Sequence, residues 1–204
     1  MPVLIYDPVL EMKVRDERDL LSPCNRDEVW EGVLVMAPLP NTEHQDIATM
    51  LAHVFFFAIT RSAGDRVMAG ANVSDRDAGW TQNYREPDVV VYLGANPARD
   101  TGSHWVGGPD LAVEIGSPGE DPRAKLVFYA LVNTRELLIV ERNPWAVELY
   151  QLRNGALVSA GRSDLSNPAV LSSEVLPLSF HLRAGIPRPT ILVMHTTTAQ
   201  VWDV

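Results

Sequence analysis

The chain has 204 residues, 46% of them hydrophobic, enough for one domain with a substantial core and too few to require two. Lys and Arg number 17 against 26 Asp and Glu, a net charge of -9; this excludes a broad basic surface for nucleic acid, since phosphate neutralisation supplies most non-specific affinity, and any such partner has to be met by a local patch. The single cysteine, Cys24, rules out an intramolecular disulfide and reads as an inert thiol, and the longest apolar stretch, Leu51 to Ile59, is far short of the ~20 residues of a membrane span. With no basic segment ahead of an apolar one at the N-terminus, a reducing, cytoplasmic setting is expected.

In chain order, residues 1–26 are charge-rich and unassigned. Val29 to Met36, with Glu31-Gly32 between the two halves, reads as a hairpin. Thr42 and Gln45 have capping-box spacing, and Ile47, Met50, Leu51, Val54, Phe55 and Ala58 follow at helical period, predicting a helix from about 43 to 61. Phe55-Phe56-Phe57 is most simply helix core, and its breadth around the helix also fits burial on two sides, as at a subunit interface. Arg66 to Val73 is strand-like and Ser74 to Arg85 loop-like. Val89 to Leu93 and Leu111 to Ile115 are apolar strands joined by a Gly- and Pro-rich stretch. Asp121-Pro122 has the form of an N-cap and first helical residue, launching a helix to about Val132. Strands follow at Glu136 to Arg142, Ala146 to Leu152 and Val175 to Leu182, with a hairpin at Asn154-Gly155, and Arg188 to Val204 is β-prone.

The two central strands carry the candidate chemistry. An antiparallel return with Leu93 opposite Pro109 sets Asp88 across from Glu114 on one face of the sheet. Two facing carboxylates are destabilising unless a cation lies between them, and Mg²⁺ or Mn²⁺ suits such hard oxygen donors. The helix after Asp121 then points Lys125 back toward the pair. Fifteen arginines stand against two lysines, Lys13 and Lys125, so a lysine here marks a place where a compact ammonium works better than a guanidinium.

At these residues the chain resembles the PD-(D/E)XK nuclease superfamily and, within it, the Uma-two family of restriction-endonuclease-like proteins. Six motifs agree in order: the hairpin Glu28-Val29-Trp30-Glu31-Gly32, His44 at the helix start, Pro87-Asp88, Val113-Glu114-Ile115-Gly116-Ser117-Pro118, the set Asp121, Lys125 and Tyr129, and Ser173-Glu174-Val175-Leu176-Pro177. The chain departs from most of the superfamily at Gly116, where a lysine usually stands two residues after the glutamate; the resemblance then implies that Lys125 supplies it from the helix. It also implies an α/β (α+β) fold with a restriction-endonuclease-like core, a mixed central sheet flanked by helices and an added N-terminal hairpin. The nuclease-like domain would span 27–185, between an N-terminal extension (1–26) and a C-terminal appendage (186–204).

The activity implied is Mg²⁺-dependent cleavage of nucleic acid, preferentially DNA. Asp88, Glu114, the Ile115 backbone carbonyl and Glu28 would hold the metal, Lys125 would position water or stabilise charge, and His44, Asp121 and Tyr129 would support them. Arg76, Arg85, Arg99 and Arg123 are expected to flank the cleft, and a homodimer would bring two sites to two strands.

Each residue has a plainer reading. Asp88 and Asp121 serve as turn or helix caps, Glu114 pairs with Lys125 without metal, Tyr129 packs, and Glu28 and His44 are solvated. Ser117 lies in no Gly-x-Ser-x-Gly elbow and the histidines form no zinc pattern. The alternatives to an endonuclease are an inactive binding module on the same fold and a metal-dependent hydrolase of a smaller phosphoester.

Overall fold

In the computed structural model the described residues are 3–21, 26–60 and 63–204; the thiol reading of Cys24 falls outside them. The chain opens with β1 (Val3–Ile5) and α1 (Pro8–Leu21). Asp7 caps α1, its Oδ1 accepting from the amides of Val9 at 2.8 Å and Leu10 at 3.1 Å, and Pro8 takes the first helical position, where a missing N–H costs nothing. The expected hairpin is β2 (Glu28–Trp30) and β3 (Val33–Met36). Its turn residues Glu31 and Gly32 have φ of 48° and 82°, the two left-handed conformations of a type I′ turn.

Helix α2 (Thr42–Ala58) begins differently from the capping box read at Thr42 and Gln45. Asn41 is the N-cap, and its Oδ1 accepts from the His44 amide at 2.9 Å. The shorter amide side chain satisfies that donor, and Thr42 becomes the first helical residue. After α2 come β4 (Arg66–Ala69), β5 (Val73–Ser74), β6 (Tyr84–Arg85), β7 (Val89–Tyr92), β8 (Arg99–Asp100), β9 (Trp105–Val106) and β10 (Leu111–Ile115). The helix launched at Asp121 is a tight 3-10 turn, Pro122–Lys125, running into α3 (Leu126–Leu131). Then follow β11 (Glu136–Arg142), β12 (Trp145–Arg153), β13 (Ala156–Asp164), β14 (Leu171–Ser172), β15 (Leu178–Arg183), β16 (Thr190–His195) and β17 (Val201–Asp203).

The fold is mixed α+β. A six-stranded sheet in the order β13-β12-β11-β10-β7-β4 is its centre; the N-terminal hairpin belongs to a seven-stranded sheet and the last four strands form a third. β7 and β10 pair antiparallel through Leu111–Val91, Ala112–Val90 and Val113–Val89, the register expected from an antiparallel return. β10 and β11 pair parallel, so the 3-10 turn and α3 make the crossover such a pair needs.

These central strands are apolar on both faces because both are covered. Val89, Val91, Leu111, Val113 and Ile115 pack with Ile47, Leu51 and Phe55 of α2, with Phe180, Ile191 and Val193 of the C-terminal strands, and with Val204 just after β17. Ala112, Leu137 and Ile139 meet Phe128, Tyr129 and Val132 at α3. Side chains alternate along β10, so Glu114 shares the α3 face with Ala112. Ile5, Val29, Leu34 and Tyr84 form a small cluster of their own within the hairpin sheet.

Candidate active site

A cavity of about 320 Å³ opens where the hairpin sheet meets the end of β7 and β10. Glu28 from β2, His44 from the first turn of α2, Asp88 ahead of β7, Glu114 from β10 and Lys125 from the 3-10 turn all line it, and all five are buried. Tyr129 lies behind Glu114, fully buried.

Lys125 is the hub. Its Nζ donates to Glu28 Oε1 at 2.9 Å and Glu114 Oε2 at 2.8 Å, with Glu120 Oε1 3.7 Å away. The Tyr129 hydroxyl donates to Glu114 Oε1. Glu28 also accepts from the Glu86 amide at 2.8 Å and from Trp30 Nε1 at 2.7 Å. Asp88 has its own donors: Arg26 Nη1 at 2.5 Å and His44 Nε2 at 2.7 Å on Oδ1, and the Ile115 amide at 2.7 Å on Oδ2. At Ile115, then, the group that meets Asp88 is the N–H. Asp121 stands apart from this set at the rim, its carboxylate accepting from the Arg123 amide and pairing with that guanidinium at 2.9 Å.

Electrostatics follow from burial and crowding. Burial, together with the charges of Glu28 and Asp88 and against the pull of Lys125, pushes Glu114 up to about 8. Burial alone would lower Lys125, but Glu114, Glu28 and Glu120 outweigh it and hold the ammonium above its ordinary range. Burial raises Tyr129, reinforced by Glu114, and raises Glu86 and Glu120 as well. Among the described residues that line the cavity, six carboxylates stand against the cations of Arg26 and Lys125.

The four arginines expected to flank it are held by partners outside the cavity or at its edge. Arg76 is bound by Asp75 and Arg99 by Asp77, at 2.7 and 2.6 Å. Arg123 is shared by Asp121 at the rim, Glu141 and Glu148, and Arg85 is buried between the Trp30 and Phe128 rings, 4.3 and 4.2 Å from their centroids. None of the four lines the cavity; among the described residues the guanidinium that does is that of Arg26, which the sequence reading missed along with Glu86 and Glu120. Glu86 and Glu120 each stand next to a motif, Pro87-Asp88 and Asp121-Pro122, the local signals available for them.

In kind, the donors fit a hard divalent ion, since carboxylate oxygens crowd one buried space with too little cationic charge. As placed, no three described His, Cys, Asp or Glu side chains enclose an ion position, because Arg26 and Lys125 stand on the oxygens.

Comparison with known proteins agrees with this architecture. Residues 19–185 match the model of the Uma2 family, described as "Putative restriction endonuclease". Among solved structures the chain is similar to a "putative nuclease belonging to DUF820" from Anabaena variabilis ATCC 29413, with a TM-score of 0.57 and 16% identity over 72% of this chain and 80% of that one. At that identity the likeness is one of fold. No curated protein matches the chain. With the family match running from α1 through β15, across every strand and helix that lines the cavity apart from β1, the protein belongs to the Uma2 family of restriction-endonuclease-like proteins.

Proposed function

We propose that the cavity hydrolyses phosphodiester bonds of nucleic acid, DNA in the first instance, with Mg²⁺ or Mn²⁺ as cofactor. The observation that carries this reading is the meeting of Glu28, Asp88, Glu114 and Lys125, from four separate segments of the chain, inside one cavity. Asp88, Glu114 and Glu28 would hold the ion, with the Ile115 carbonyl as a further donor. When bound, such an ion polarises a phosphate oxygen and lowers the pKa of its water. Lys125 keeps its proton, so its part is to hold water and stabilise negative charge on phosphate rather than to act as a base. Tyr129 and His44 fix the orientation of Glu114 and Asp88. Two strands call for two such cavities, hence a homodimer.

The test is nicking of supercoiled plasmid with Mg²⁺ or Mn²⁺, expected for the wild type and lost in Asp88→Asn and Glu114→Gln. Cleavage that persists in both variants, with the same metal requirement, refutes the assignment. A binding module without catalysis is the second reading, favoured because Lys125 and Arg26 already partner the carboxylates. Metal-independent nucleic-acid binding without cleavage supports it.

A further inference from the structure

We propose that Arg26 is the counter-cation standing at the metal position: it holds Asp88 while the ion is absent, gives way when the ion binds, and then serves the substrate phosphate. This rests on the metal-dependent reading above and assigns a role to a residue outside the acidic set.

The argument begins with lone pairs. A carboxylate oxygen accepts about two hydrogen bonds. Asp88 Oδ1 already takes two, from Arg26 Nη1 at 2.5 Å and His44 Nε2 at 2.7 Å, while Oδ2 takes the Ile115 amide. Oδ2 keeps one acceptor position, but a guanidinium at 2.5 Å on the same carboxylate repels a second cation, so an ion on Asp88 competes with Arg26 whichever oxygen it takes. Of the two donors on Oδ1, His44 is the fixed one: its side chain is 6% exposed, and its backbone is pinned to the Asn41 cap. Arg26, just ahead of β2, has a side chain 17% exposed and faces the cavity.

The guanidinium also has somewhere to go. Its Nε lies 3.9 Å from Glu86 Oε1, and Arg26 and Glu86 pack over Gly70. A Cβ on Gly70 would stand 3.1 Å from Glu86 Oε1 and 3.8 Å from Arg26 Nη2, and its φ of +77° suits glycine. A swing from Asp88 to Glu86 therefore needs side-chain rotation alone. Lys125 faces no such choice, because each Glu114 oxygen accepts one hydrogen bond, leaving room for an ion with the ammonium in place. Once displaced, a guanidinium keeps its charge and offers a planar fork suited to a phosphate held beside the ion.

Mn²⁺ titration of the full chain without nucleic acid tests the exchange. Arg26→Ala is expected to bind Mn²⁺ roughly tenfold tighter than wild type, the size of one charge-assisted hydrogen bond removed from the competing state. Arg26→Lys should fall between, and Arg26→Gln repeats the measurement if the alanine chain does not fold. In cleavage assays Arg26→Ala should raise KM more than it lowers kcat. A merely structural arginine predicts the opposite sign, weaker Mn²⁺ binding from a loosened Asp88. Unchanged or weaker affinity, against measurable binding by wild type, overturns the exchange and spares the metal-dependent reading. Failure of every form to bind Mn²⁺ overturns both.

Discussion

Asp88 Oδ2 accepts the backbone N–H of Ile115 at 2.7 Å, just past the last backbone pair, Val89–Val113. A side chain just ahead of one central strand thus finishes the ladder of its neighbour, so Asp88 has a structural part whatever its chemistry. Asp88→Ala strands that amide together with Arg26 and His44 and is expected to cost about 2–4 kcal/mol. Asp88→Asn keeps an acceptor and should cost about half as much. Urea unfolding measures both, and an alanine variant as stable as wild type would show that the carboxylate holds nothing.

Lys125 separates two buried carboxylates, so its removal leaves like charges without a partner. Lys125→Met should destabilise the metal-free protein by about 3–5 kcal/mol at alkaline pH, and by less in acid, where the carboxylates take up protons. Equal losses at the two pH values in urea titrations would contradict this account.

Glu114 gives the pH dependence its sign. Its folded pKa, about 8, lies above the ordinary 4.5, so the folded state binds the proton more tightly. The stability it contributes is whole below about 4.5 and is lost as pH rises through about 8. The melting temperature of metal-free protein should fall across that window, and Glu114→Gln should flatten the slope. Metal binding near pH 7 should release about one proton, read by calorimetry in buffers of different ionisation enthalpy.

Arg85 is a second polar tie beneath the cavity. Besides lying between the Trp30 and Phe128 rings, its Nη1 donates to the Val29 and Tyr84 carbonyls at 3.0 Å and to Asn83 Oδ1 at 3.2 Å. Arg85→Lys keeps the charge but loses the flat stack and the fork of donors, an expected cost of about 1–3 kcal/mol. Thermal melts that match wild type would count against the stacked arrangement.

What was legible in the sequence was short-range. The strands β7 and β10 are unbroken apolar runs, their antiparallel return follows from the linker between them, and Glu31-Gly32 announces its turn. Glu28, Asp88, Glu114 and Lys125 could be nominated because each sits in a local motif. What escaped depends on segments that meet only after folding. Arg26 reaches Asp88 across 62 residues, with no pattern to mark the pairing. Arg76, Arg99 and Arg123 lie near the acidic motifs in the chain, yet Asp75, Asp77 and Glu148 claim their guanidiniums. The start of α2 shifted for a local reason, since Asn41 competes with Thr42 for the same cap.

The hairpin that carries Glu28 has a small apolar cluster apart from the two flanking the central sheet. Cooperative melting follows shared apolar contact. On warming, this layer is expected to loosen first, carrying Glu28 away from Lys125 while the scaffold under Asp88 and Glu114 persists. Heat would then undo the cavity at temperatures where most of the protein's spectrum still reads as native.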